Sequence, residues 1–206
     1  MRPYRTLRRK KAVPINAYYG IQTLRAIENF PISGIPSKKE FITATAMTKK
    51  AAALANITTG SLNKKIGRAI VQAADEIIHG KLRKEFVVDV YQAGAGTSHN
   101  MNTNEVIANR AIEILGGKKG DYRIVHPNDH VNMSQSTNDI MPASMRLAGL
   151  FMAEGLTVEL KQLEKALSAK SKEFDNIIKS GRTHLQDAVP IRLGQEFQSY
   201  RRVISK

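Results

Sequence analysis

No cysteine occurs among the 206 residues. That absence excludes disulfide staples, thiolate zinc sites and cysteine nucleophiles, and it suits a reducing compartment. Tryptophan is missing as well, and aromatic residues make up only 6% of the chain. No run approaches the ~18 apolar residues of a membrane span, and the N-terminus has no apolar stretch suited to a signal peptide. The expectation is a soluble, cytoplasmic protein with no membrane partner. Acidic residues are scarce: 18 Asp+Glu stand against 32 Lys+Arg, a net charge of +14. Arg2, Arg5, Arg8, Arg9, Lys10 and Lys11 concentrate positive charge at the start, which raises nucleic acid as a partner. No zinc-finger spacing or aromatic-basic motif follows, so a solvated basic tail is the preferred reading over nucleic acid.

A hydrophobic content of 42% in a chain of this length supports a core of one large domain or somewhat more. Residues 1–16, interrupted by Pro3 and Pro14, read as an irregular arm. A short helix over Leu24–Phe30 ends at Pro31, Gly34 and Pro36. Ser37 and Glu40 then spell a capping box for an alanine-rich helix to Ile57, with Gly60 beyond its end. Ile66, Ile70, Ala73, Ala74 and Ile77 step as a helical stripe between Asn63 and Gly80. Phe86–Val90 reads as extended, and Asn100–Leu115 as a helix stopped by Gly116-Gly117. The longest pattern runs from Met141 to about Phe174, with Met145, Ala148, Met152, Leu156, Leu160, Leu163 and Leu167 on one face. A helix of that length spans roughly 50 Å and calls for equally long partners, of which the chain supplies only a beginning from about Gly194. The expected fold is therefore mainly α: a helical N-terminal domain over 1–138, and over 139–206 the start of a long-helix bundle, incomplete.

Three polar clusters punctuate these helices. Gln92-Ala93-Gly94-Ala95-Gly96-Thr97-Ser98 has the small residues that let backbone approach a ligand, although a tight turn into a helix explains it equally well. Gln135-Ser136-Thr137-Asn138-Asp139 sets two hydroxyls and an amide where a helix begins, with Pro142 expected in its first turn. Exposed N–H groups and the positive end of the helix dipole would join those side chains as an anion site, or one of the three is simply an N-cap. Ser180–Pro190, read as a polar connection, places Thr183 beside His184. His126 and His130 are four apart, but Pro127 argues against a shared helix face and no third ligand is suitably spaced, so no metal is expected. No Walker lysine loop and no strand-GxGxxG-helix occurs.

Three long motifs appear in sequence order. They are Gly94-Ala95-Gly96-Thr97-Ser98 with Asn100-Met101-Asn102 and Asn104–Arg110; His126–Asn132 with Ser136-Thr137-Asn138-Asp139; and Gly181–Ala188. Together they closely resemble the aspartase/fumarase superfamily over about Tyr18–Arg202. Tyr18–Arg25 and the Ser-Thr-Asn form of 136–138 resemble the aspartate ammonia-lyase branch more than class II fumarases. The resemblance implies reversible elimination of ammonia from L-aspartate to fumarate, without cofactor, in a homotetramer acting on a small dicarboxylate. It further implies that Thr97, Ser136, Thr137 and Thr183 hold the β-carboxylate and that Asn138 and His184 lie near the amino group. Two departures stand out. The superfamily's catalytic serine lies in a Gly-Ser-Ser-x-Met-Pro-x-Lys-x-Asn loop that does not occur in these residues, so this chain alone is expected to be inactive, and the start is far more basic than the family pattern. A class II fumarase-type hydratase, or a non-catalytic scaffold with a nucleic-acid-binding arm, are the alternatives.

Overall fold

The computed structural model describes residues 11–206. Arg2, Arg5, Arg8, Arg9 and Lys10 of the basic arm therefore lie outside the described residues, while Lys11 ion-pairs with Glu28. The helices are α1 (Ile21–Asn29), α2 (Lys39–Thr58), α3 (Lys64–Ile78), α4 (Thr97–Ile114), α5 (Thr137–Glu173) and α6 (Leu193–Ile204). A hairpin of β1 (Ile178–Thr183) and β2 (Gln186–Arg192) stands between the last two. The mainly helical fold is as expected. Two compact units divide at Gly149/Leu150, eleven residues beyond the boundary set at 138/139 from sequence. Among the described residues no helix is long and apolar enough to cross a membrane.

In the first unit, α2, α3 and α4 pack around Ile42, Ala46, Ile70, Ala73, Ile77, Phe86, Val106, Ile107 and Ile112. Ile70, Ile77, Ile107 and Ile112 are fully buried, each contributing about 1.5–3 kcal/mol of transfer free energy. α3 begins as its sequence predicts: the Asn63 side chain accepts from the N–H groups of Lys65 and Ile66, and Gly80 follows its end at φ +92°. α2 does not begin with the capping box. Its N-cap is Lys38, without a side-chain cap, because the Ser37 hydroxyl instead meets Nδ1 of His99 at 3.1 Å. His99 stacks on Phe41 with ring centroids 4.5 Å apart, and that long-range packing outcompetes the local cap.

The Glu105 carboxylate of α4 closes the N-terminus of α1. It accepts from the backbone N–H groups of Gly20, Gln22 and Thr23 at 2.9–3.0 Å and from the Thr23 hydroxyl at 2.6 Å. Phe86–Val90 forms no regular strand; only an isolated bridge pairs Pro36 with Asp89. Burial alone would raise the Asp89 carboxyl, but the N–H groups of Tyr91, Ser33 and Gly34 and the Ser33 hydroxyl outweigh it and hold the pKa at about 2.

α5 starts at Thr137, four residues earlier than the apolar pattern predicts, so Pro142 is its sixth residue and not part of its first turn. Proline there has no N–H for the carbonyl of Asn138, an interruption confined to the helix's opening turns. In the second unit, Phe174 and Phe197 meet edge-on at 5.2 Å and Arg201 pairs with Glu164 at 3.2 Å, joining α6 to α5. A Cβ on Gly194 would lie 2.4 Å from the Ser171 carbonyl, so only glycine fits that approach. The stretch read as a connection is the hairpin. Thr183 pairs with Gln186, and His184 and Leu185 form a two-residue turn at φ +48° and +60°.

Candidate active site

In the first unit the N-termini of α4 and α5 converge. Gly96, the N-cap of α4, sits at φ +75°, and a Cβ there would come within 2.6 Å of Met141 in α5. The glycine is thus required both by its dihedral and by the closeness of the two helix ends. Thr97 opens α4 and is exposed. Ser136 is the N-cap of α5: its hydroxyl accepts from the Asn138 N–H at 3.2 Å and its carbonyl from the N–H groups of Asp139 and Ile140 at 3.1 and 3.0 Å. The cap reading and the donor-cluster reading are compatible, since Thr137 and Asn138 keep their side chains free of that role. Thr137 is half-buried, and Ser136 and Asn138 are exposed.

A buried polar layer stands behind these hydroxyls. Asn100, one turn into α4, directs its amide N–H groups at Asn132 Oδ1 (3.2 Å) and Thr137 Oγ1 (3.4 Å). Asn104, one turn further, donates to the same Asn132 oxygen at 3.3 Å. Asn132 is oriented by its own donation to the Gln135 carbonyl at 3.0 Å, and Gln135 is held by donations to the carbonyls of Val131 and Met133. Lys49 of α2 completes the layer, giving hydrogen bonds to Asn132 Oδ1 at 2.8 Å and Gln135 Oε1 at 3.0 Å. Burial brings its ammonium down to a pKa of about 7. Burial, and then the nearby Lys49 charge, hold the His99 imidazole at about 4. Thr48 links the layer to α5 through Ser144, 3.2 Å between hydroxyls.

This layer was not singled out from sequence, though a signal existed. The buried stripe of α2 runs Ile42, Ala46, Lys49, Ala53, Asn56, with two polar residues at core positions of an amphipathic period.

Of the predicted site residues, Thr97, Ser136, Thr137 and Asn138 belong to the first unit and gather at the two helix ends. Thr183 and His184 belong to the second unit, exposed at the tip of the hairpin. A non-glycine pair with positive φ is uncommon and marks the turn as constrained. Gly181 interrupts the β1 register, where a Cβ would meet the Val189 carbonyl at 2.8 Å. His126 and His130, weighed for metal, serve each other's turn: the His126 N–H donates to Nδ1 of His130 at 2.8 Å, and Nδ1 of His126 accepts from the Asp129 N–H at 3.2 Å.

Hydroxyls, an amide and two helix ends, backed by an ammonium, make an arrangement of donors suited to a carboxylate. None of the four gathered side chains is a base. Residues 9–206 match the lyase family. The chain belongs to that family. Aspartate ammonia-lyase of Bacillus subtilis is 56% identical over 197 residues, covering 96% of this chain and 42% of that protein. A class II fumarate hydratase of Halobacterium salinarum is 53% identical, covering 94% and 41%. Among solved structures, fumarate lyase:delta crystallin from Brucella melitensis superposes with a TM-score of 0.82 at 53% identity, over 95% of this chain and 44% of that one. A class II fumarase from Schistosoma mansoni gives 0.80 at 41% identity, over 94% and 41%. The chain therefore spans about two-fifths of the length of the relatives it matches.

Proposed function

We propose that this chain supplies the carboxylate-holding part of an ammonia-lyase that eliminates ammonia from L-aspartate to give fumarate, reversibly and without cofactor. The observation that carries the reading is the Asn100–Thr137 contact at the junction of two helix N-termini. Having accepted from Asn100, the Thr137 hydroxyl keeps its own proton to donate to a carboxylate oxygen.

The C3 proton of aspartate is weakly acidic. Its removal leaves two negative charges shared over C3 and the β-carboxylate, an aci-carboxylate, and the C–N bond then breaks as ammonia leaves. Catalysis at such a centre comes from donors already in place for the charge that develops. Thr97, Ser136, Thr137 and Thr183 are assigned to that carboxylate, and Asn138 and His184 to the amino side. The base is assigned to a serine loop of the form that does not occur in these residues. The complete enzyme is read as a homotetramer in which the hairpin of one subunit serves the helix ends of another.

The test joins the chain to a segment carrying that loop and follows fumarate formation by ultraviolet absorbance. L-aspartate is expected to be consumed by the joined protein and not by the 206-residue chain alone. The 53% identity to a class II fumarate hydratase favours a second reading in which water replaces ammonia; activity on L-malate without activity on L-aspartate would select it.

A further inference from the structure

A buried ammonium is costly unless something of opposite charge compensates it. Lys49 is fully buried, and the two groups it bonds are neutral amide oxygens. Among the described residues no carboxylate forms an ion pair with it, whereas its neighbour Lys50 pairs with Asp75 at 2.7 Å. The titratable group facing it from α4 is His99, which is uncharged near neutrality. Glu105, further along α4, is committed to the backbone of α1.

The position of this charge is what gives it a use. Asn132 Oδ1 takes Lys49 from one side and the Asn100 amide from the other, and the same amide reaches Thr137 Oγ1. The other acceptor, Gln135, immediately precedes Ser136 in the chain. Lys49 thus clamps both amides that set the turn into α5, directly behind the hydroxyls that open it.

We infer that Lys49 is a positioning residue of the carboxylate site, and that the counter-ion of its buried charge is the bound dicarboxylate. The identity of the ligand rests on the reading above; the role of Lys49 does not require that the ligand react. With no anion bound, the ammonium gives up its proton near neutral pH because burial disfavours the charge. A dianion close by restores the charged form, so binding above pH 7 draws a proton onto Lys49.

Succinate, a dicarboxylate with no amine to eliminate, is the probe, measured by isothermal titration calorimetry on the full-length assembly. Titrations at pH 8 in two buffers of different ionisation enthalpy should show net proton uptake by the native protein. Lys49→Met should abolish that uptake and weaken succinate binding tenfold or more, while Lys50→Met stays within twofold of native. Circular dichroism and a thermal melt check that each variant folds; should Lys49→Met fail to fold, the uptake by native protein decides alone. Succinate binding without proton uptake, or unchanged binding in a folded Lys49→Met variant, would overturn the inference. No dicarboxylate binding at all by the native assembly would overturn both this inference and the proposed reaction. Succinate binding that depends on Lys49, in an assembly inert toward L-aspartate, would retire the reaction alone.

Discussion

Thr137 carries the sharpest single-residue expectation, because its hydroxyl both accepts from Asn100 and opens α5. Thr137→Val keeps the volume and removes the donor, and losing a hydrogen bond to a charged group costs about 1.5–3 kcal/mol. In the proposed ammonia-lyase, kcat/KM for L-aspartate should therefore fall by roughly tenfold to a hundredfold or more, with an unchanged circular dichroism spectrum. His99 gives an expectation in pH. Its folded-state pKa of about 4 lies below the ordinary value of 6.5, so the unfolded chain binds the proton first as pH falls. The stability it contributes is whole above pH 6.5 and is lost as pH drops toward 4, on the order of 3 kcal/mol in all. Urea unfolding at pH 7 and pH 4.5 should show that loss in the native chain, and His99→Gln should show less of it. Ser136, Thr137 and Asn138 could be placed at a helix start from sequence because hydroxyls and amides favour that position, whereas Thr97 is named only through the resemblance, α4 beginning three residues before the expected Asn100. Lys49 and Asn132 could not be read as partners. Their roles depend on which way a buried side chain turns between helices, and spacing along the chain does not encode that direction.

Helices were read well wherever the apolar period was long and a glycine closed it, as for α2 and α3, since burial and chain reversal there act on adjacent residues. The hairpin was missed for a physical reason. A two-residue turn with positive φ at both positions ordinarily announces itself by Asn-Gly or Gly, and here the residues are His184 and Leu185. Leu185 is 93% exposed, so nothing in the chain's packing compensates its left-handed backbone. Leu185→Gly should relieve about 1 kcal/mol of that strain, raising the melting temperature of the second unit as followed by calorimetry. A lower melting temperature would count against strain at this turn, since glycine's greater freedom in the unfolded chain would then outweigh any relief. The same logic explains the misplaced Pro142. The apolar stripe begins at Met141, but Ser136 caps the helix a full turn earlier, and a polar first turn leaves no trace in hydrophobic periodicity.

α5 has 37 residues, about 55 Å at the usual rise, and Leu150, Met152, Leu156, Val158 and Leu163 along it are all at least 45% exposed. Exposed apolar surface of that extent favours association, so the 206-residue chain alone should self-associate at micromolar concentration. Light scattering that shows a monodisperse monomer would contradict this. In the proposed homotetrameric lyase, reassembling a Thr137 variant with a His184 variant, each inactive by itself, should recover some activity if sites are shared between subunits. Mixtures no more active than their parents would confine each site to one chain. Glu105 has a consequence in time as well as in space. Its carboxylate closes the first turn of α1 across a sequence separation of 82–85 residues, so a chain leaving the ribosome N-terminus first extrudes α1 long before its cap has been made. Residues 20–23 must wait for α4, so α1 receives its cap only after α2 and α3 have been translated.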